Sequence, residues 1–214
     1  VPQKRLLKYF KAIRQKLPWV KRVSLYGNAK GISMKSPEEL EELRELGLGM
    51  VYMGLETGDD ETLRLIRKGA DAAKLIEMGQ NVRAAGIKLS VTVLLGIAGR
   101  QNSQRHAENT GKVLSAMDPD YVGALSLMLI PGTPLHDDYK AGRFPILGAN
   151  EMLAELRTML SHTNLSGGLF HANHASNYLP IRAKLPEEKQ KTMQLIDDAL
   201  GGRVALRPEF LRAL

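Results

Sequence analysis

The feature that most restricts how this chain can fold is an alternation. Four short apolar runs rich in β-branched residues, at residues 22–27, 50–55, 87–95 and 121–130, are separated by stretches with helical periodicity. Runs of that length bounded by turn residues read as strands, and strands that alternate with helices form parallel sheets. Their nearly continuous apolar character predicts a sheet covered on both faces, and right-handed crossovers curve such a sheet toward a barrel or a doubly wound layer. The expected fold class is therefore α/β with a parallel sheet.

The intervening stretches carry start and stop signals. Leu6, Leu7, Phe10, Ile13 and Leu17 recur at helical spacing until Pro18 ends the run. Ser36-Pro37-Glu38-Glu39 combines an N-cap, a proline at the first helical position and acids in the first turn, and that helix should end near Gly47. Asp59-Asp60-Glu61 opens a further helix, Asp71 opens one that ends at Gly86, and residues 103–117 form another. After Gly148 the pattern changes. A helix at 151–161, a Gly- and His-rich segment at 166–178, a helix at 186–200 and a short tail at 207–214 with one or two further helical turns read as a C-terminal helical extension. The organisation predicted is 1–147 for the partial barrel and 148–214 for the extension.

Composition narrows the chemistry. The chain has no cysteine, which excludes a disulfide framework, a cysteine nucleophile, and zinc or iron–sulfur sites ligated by thiolates of these residues. Thirty basic against 23 acidic residues give a net charge of +7, which permits anionic partners without requiring them. Lys4, Arg5, Lys8, Lys11, Arg14 and Lys16 decorate the first helix beside Phe10, as on a solvated face; no RNA-binding motif accompanies them, and nucleic acid is not indicated. No apolar run reaches the roughly 18 to 20 residues of a membrane helix, and no signal core follows the basic start, so a cytoplasmic protein with no membrane partner is expected.

In parallel α/β sheets ligands bind beyond the carboxyl ends of the strands, where loops and helix N-termini present unpaired N–H groups. The loops there are Tyr26-Gly27-Asn28-Ala29, Gly54-Leu55-Glu56-Thr57-Gly58-Asp59-Asp60, Leu95-Gly96-Ile97-Ala98-Gly99-Arg100 and Leu129-Ile130-Pro131-Gly132-Thr133-Pro134. Each contains glycine, which admits positive φ and close approach of backbone to a ligand. A carboxylate such as Glu56 at a strand end can accept two hydrogen bonds from a ribose diol. None of the loops matches the P-loop or the dinucleotide fingerprint.

Met53-Gly54-Leu55-Glu56-Thr57-Gly58-Asp59-Asp60-Glu61-Thr62-Leu63 with Ile66-Arg67-Lys68-Gly69 resembles the fourth-strand segment of the radical S-adenosylmethionine (radical SAM) superfamily. Leu94-Leu95-Gly96-Ile97-Ala98-Gly99-Arg100 resembles its fifth-strand Gly-rich turn, with Arg100 where the family usually has an acid. Leu129-Ile130-Pro131-Gly132-Thr133-Pro134-Leu135 is similar to the segment after its sixth strand, and the Asn28 loop is compatible with its third. The resemblance covers about residues 1–147, in the family's order and spacing. It implies a partial (β/α)₆ TIM-like barrel with a C-terminal helical extension. The cofactors it implies are S-adenosylmethionine and a [4Fe–4S] cluster, and the chemistry is reductive cleavage to a 5′-deoxyadenosyl radical acting on an unknown substrate. Asn28, Glu56, Thr57, Leu95, Gly96 and Pro131 would hold S-adenosylmethionine, and flavodoxin or ferredoxin would be the electron donor. The family's Cys-x-x-x-Cys-x-x-Cys motif is absent from these residues, so no metal ligand is predicted here. A chain lacking two N-terminal βα units explains that absence, and a degenerate homologue without the cluster is the rival explanation. In either case the isolated chain should be inactive. A cluster-free α/β-barrel enzyme and a basic RNA-binding module remain as other classes.

His171-Ala172-Asn173-His174-Ala175-Ser176-Asn177 gathers polar groups, and a similar segment follows the barrel in members of that superfamily. His171, His174 and Asn177 are thereby candidates to face substrate, while His106, His136 and His162 read as surface groups on helices.

Overall fold

The computed structural model describes residues 1–213. Along the chain run α1 (Gln3–Lys16), β1 (Val23–Tyr26), α2 (Ala29–Ser33), α3 (Pro37–Glu45), β2 (Leu48–Glu56), α4 (Asp60–Leu65), α5 (Ala72–Ala84), β3 (Lys88–Leu95), α6 (Gly99–Met117), β4 (Tyr121–Ser126), α7 (Pro134–Lys140), α8 (Ala149–His162), β5 (Leu169–His171), β6 (Arg182–Lys184) and α9 (Lys189–Leu200), then a 3-10 turn at Glu209–Leu211. Leu214, the end of the predicted helical tail, lies outside the described residues.

The caps are where the sequence puts them. Ser36 and Glu39 form a reciprocal capping box at α3 with Pro37 behind it, and Asp59 and Asp71 accept from Thr62 N and Lys74 N at the starts of α4 and α5.

The strands form one six-stranded sheet in the order β1-β2-β3-β4-β5-β6. The pairs from β1 to β5 are parallel and β6 is antiparallel to β5. Among the described residues β1 and β6 do not pair, so the sheet is an open, partial barrel of α/β type. The C-terminal segment supplies the helices expected of it, but residues 169–184 also extend the sheet by two strands. Three-residue strands are too short to show a period, and glycines mask their apolar character.

A second expectation is corrected. Only one face of the sheet is covered. Leu89, Val91, Val93 and Leu95 of β3, with Val122 and Ala124 of β4, Phe170 of β5 and Ala183 of β6, are at most 3% exposed and face the helices. Each such side chain withdrawn from water is worth about 1.5–3 kcal/mol for the larger residues. The alternate positions Tyr52, Gly54, Ser90, Thr92, Tyr121, Gly123 and His171 are half-buried. At its β1 edge Tyr26 is 90% exposed and stacks on Tyr52 with ring centroids 5.2 Å apart. The strands therefore alternate apolar and polar, as in a barrel whose interior is hydrated.

Helices α6 and α8 back the centre of the sheet. Their close approach requires Gly111 of α6, where a Cβ would lie 2.6 Å from the Met159 carbonyl oxygen and 2.6 Å from His162 Cβ.

Candidate active site

The carboxyl end of β2 departs from regular geometry. Gly54 pairs with Thr92 but Glu56 pairs with Val93, so one residue is inserted and the strand bulges. Glu56 takes a φ of 63°, a left-handed conformation that L-residues other than Asn and Asp rarely adopt and that costs on the order of 1–2 kcal/mol. Its carboxylate is turned back over Gly54, where any Cβ would collide with Oε1, and it accepts from Lys68 Nζ at 3.1 Å. The Glu56 side chain keeps 30% exposure at the rim. Strain held at a strand tip, with a partly solvated carboxylate as its product, points to a ligand contact.

Thr57, one position on, is fully buried. Its hydroxyl lies 2.7 Å from His106 Nδ1 and accepts from Asp59 N at 3.0 Å. With these partners it anchors the loop from behind. Thr110 Oγ1 accepts from Gly58 N at 2.9 Å, and a Cβ at Gly58 would come within 2.6 Å of the Asn109 carbonyl oxygen, so the loop rests directly on α6.

His106 is the residue that sequence reasoning misplaced. It is fully buried, and its Nε2 faces Glu155 Oε1 of α8 at 3.5 Å. Glu155 in turn accepts from Gly96 N at 2.6 Å and from the Ser103 hydroxyl. A continuous chain of polar contacts thus runs from Thr57 through His106 and Glu155 to Gly96. It fixes the loop after β2 and the turn after β3 to the same two helices. The signal was present, because His106, Thr110, Val113, Leu114 and Met117 share the buried stripe of α6.

Gly96 adopts a φ of 83°, and a Cβ there would lie 2.9 Å from Met152 Cε. Leu95 is 2% exposed with its side chain in the core and its carbonyl accepting from Leu127 N. Arg100 pairs with Glu151 at 2.7 Å and binds the Ile146 carbonyl, tying the turn to the start of α8. Asn28 caps α2 through Gly31 N at 2.7 Å, and Pro131 is exposed in the turn before α7. Residues 97–102 and 133–135 line one cleft of about 730 Å³ together with Ile66 and Arg67.

Asp59 is 4% exposed in its side chain and receives Arg105 Nε at 2.8 Å, Thr62 N at 3.0 Å and Thr62 Oγ1 at 2.7 Å. Burial by itself would raise this carboxyl, but the bonds from Arg105 and Thr62 outweigh it and bring the pKa down to about 2.

The C-terminal candidates separate. Asn177 is 2% exposed, donates to the Ala124 carbonyl and accepts from Ser126 Oγ, so it staples the end of β4. His174 Nδ1 contacts Ser176 inside the same loop, which Arg207 and Arg212 clamp through the carbonyls of residues 174–177. His171 alone of the three lies on the open face of the sheet. Of the two aromatics among the basic residues of α1, Phe10 faces the core and Tyr9 is exposed. Among the described residues no three His, Asp or Glu side chains gather as metal ligands, and no helix is long and apolar enough to cross a membrane.

A family model described as the radical SAM superfamily matches residues 2–107, the segment that carries β1, β2, β3 and the rim loops between them. The chain belongs to the radical SAM superfamily. An uncharacterized protein of Methanocaldococcus jannaschii is 26% identical over 112 residues, which are 52% of this chain and 34% of that protein. Methylornithine synthase superposes with a TM-score of 0.54 at 19% identity, covering 76% of this chain and 44% of that one. Coproporphyrinogen III oxidase from Escherichia coli, a radical SAM enzyme, superposes with a TM-score of 0.58 at 14% identity, covering 75% and 36%. At these identities the structural likeness shows the fold, a partial radical SAM barrel. The chain spans about a third of the length of the curated relative.

Proposed function

We propose that this radical SAM chain forms the S-adenosylmethionine-binding rim and the substrate-facing wall of a larger radical SAM enzyme. The observation that carries the reading is Glu56, a carboxylate held in a strained conformation at the strand tip, where the resemblance to the superfamily implies a cofactor contact. Its rim position suits hydrogen bonds from a ribose diol, with Lys68 fixing its direction. The Gly96 turn, buried and held by Glu155, would shape the rim beside a flat base, and Asn28 and Pro131 border the same rim. Thr57 and Leu95 position these groups from the interior.

S-adenosylmethionine, when bound and reductively cleaved, supplies a carbon-centred radical that abstracts hydrogen from substrate. A [4Fe–4S] cluster does not fit the residues present, because the chain contains no cysteine. If the enzyme uses one, its thiolates come from outside these 214 residues. A flavodoxin or ferredoxin as electron donor and a cytoplasmic location belong to the same proposal.

The test begins with the gene. The coding sequence around this chain is expected to contain a Cys-x-x-x-Cys-x-x-Cys motif ahead of Val1. The whole product, reconstituted with iron and sulfide and reduced, should form 5′-deoxyadenosine. A complete reading frame without that motif, whose product forms none, would overturn the reading.

A further inference from the structure

One row of residues crosses the open face in direct register: Gly54 of β2, Thr92 of β3, Gly123 of β4, His171 of β5 and Arg182 of β6. Registered partners project on the same side of a sheet, so these five positions share the uncovered face, while Phe170 and Ala183 on the next row point into the core. Two glycines and a threonine make a floor about 10 Å across. A Cβ at Gly123 would meet only Leu125 Cδ1 at 4.0 Å, so the space above Gly123 is open, whereas the Glu56 carboxylate and Lys68 Nζ lie over Gly54.

The two ends of the row differ in charge. Toward β2 the carboxylate of Glu56 is already paired with Lys68. Toward β6 the pair His171 and Arg182 has no acidic partner among the described residues. With the Asn173 amide turned so that its oxygen faces Arg182, it accepts from both Nε and Nη2 at 3.1 Å. Neutral amide oxygens orient a guanidinium without cancelling its charge, and the remaining N–H groups of the fork are left for another acceptor. The adjacent row, Tyr52, Ser90, Tyr121, Leu169 and Lys184, adds no acid, and Lys88 sits 5.9 Å over the ring of Tyr121 on the same face. Burial and the neighbouring Arg182 both lower the His171 pKa, the second being the repulsion that an anion would relieve.

We infer that Arg182, oriented by Asn173 and flanked by His171, is a specificity site that binds an anionic group, carboxylate or phosphate, of the substrate lying over Thr92 and Gly123. This rests on the reading of the open face as the substrate side of a radical SAM barrel. Charge-assisted bonds to a guanidinium fork favour planar or tetrahedral oxyanions.

The test is a titration of the 214-residue chain, followed by NMR of the His171 ring and the Arg182 side chain. Malonate is the carboxylate probe, inorganic phosphate the phosphate probe, and sodium chloride at matched ionic strength the control. Saturable shifts at both residues with one probe and not with chloride are expected, and the responding probe names the group. Arg182→Gln should weaken binding at least about tenfold, as loss of a charge-assisted fork does, while Lys184→Gln, whose residue already pairs with Glu187 at 2.7 Å, should not. No shift with either probe, or equal binding by Arg182→Gln with its fold intact by circular dichroism, overturns the site. An anion response without any S-adenosylmethionine contact at the Glu56 rim would leave this site standing and contradict the cofactor reading instead. Cofactor contact without an anion response would do the reverse.

Discussion

Glu56 and Asp59, three residues apart, show how one loop places acids in opposite roles. Glu56 is pushed outward by a bulge into a left-handed conformation, whereas Asp59 is drawn in to cap α4 and to receive Arg105. The Asp59 carboxyl is held at about 2, below its ordinary 3.8. A folded value below the unfolded one contributes stability that is present above about pH 4 and lost as the pH falls through about 2. Arg105 is half in water, which screens the pair, so the contribution is at most about 2 kcal/mol. Asp59→Asn should lower the melting temperature at pH 7 and flatten its dependence between pH 4 and 2; a variant with the wild-type profile would show that the pair stabilises nothing. At this scale the sequence is a partial guide. Cap residues and rim glycines are legible because they act on their own backbone. Glu155 and Arg182 are not, since what they meet lies 59 residues away for Glu155 and Gly96, and across a strand register for Arg182 and His171.

At the scale of elements, strands of six to nine residues with flanking caps could be read from periodicity, while β5 and β6, three residues each, could not. The reading of two-sided burial failed for an identifiable reason. Tyr52, Gly54, Gly123 and Leu125 sit on the open face yet count as apolar or neutral in a sequence, so a half-hydrated strand looks continuous. Helix packing offers a sharper check. Gly111 lets α6 and α8 approach, and α8 carries Glu155 to Gly96. Gly111→Val should lower stability by about 1–3 kcal/mol, as overpacking does, seen as a fall in the thermal midpoint with helical content retained below it. An unchanged midpoint would mean that the two helices are not in the contact described.

For the molecule as a whole, the sheet is mostly parallel, covered by helices on one side, and open both along its β1 edge and across its polar face. Parallel sheets ordinarily have both faces covered, and the open polar face here is that of a partial barrel. That architecture was legible because three rim segments stand in the superfamily's order; the row ending in His171 and Arg182 was not, because register is a property of pairing. The proposed function requires the rim formed by Glu56, Gly96 and Asn28 to bind S-adenosylmethionine. Titrating the chain with S-adenosylmethionine while following backbone amide resonances measures this. Saturable shifts concentrated at residues 28, 54–58 and 95–97 are expected, abolished by Glu56→Ala with the remaining spectrum intact. Shifts elsewhere, or none at millimolar ligand, would contradict it.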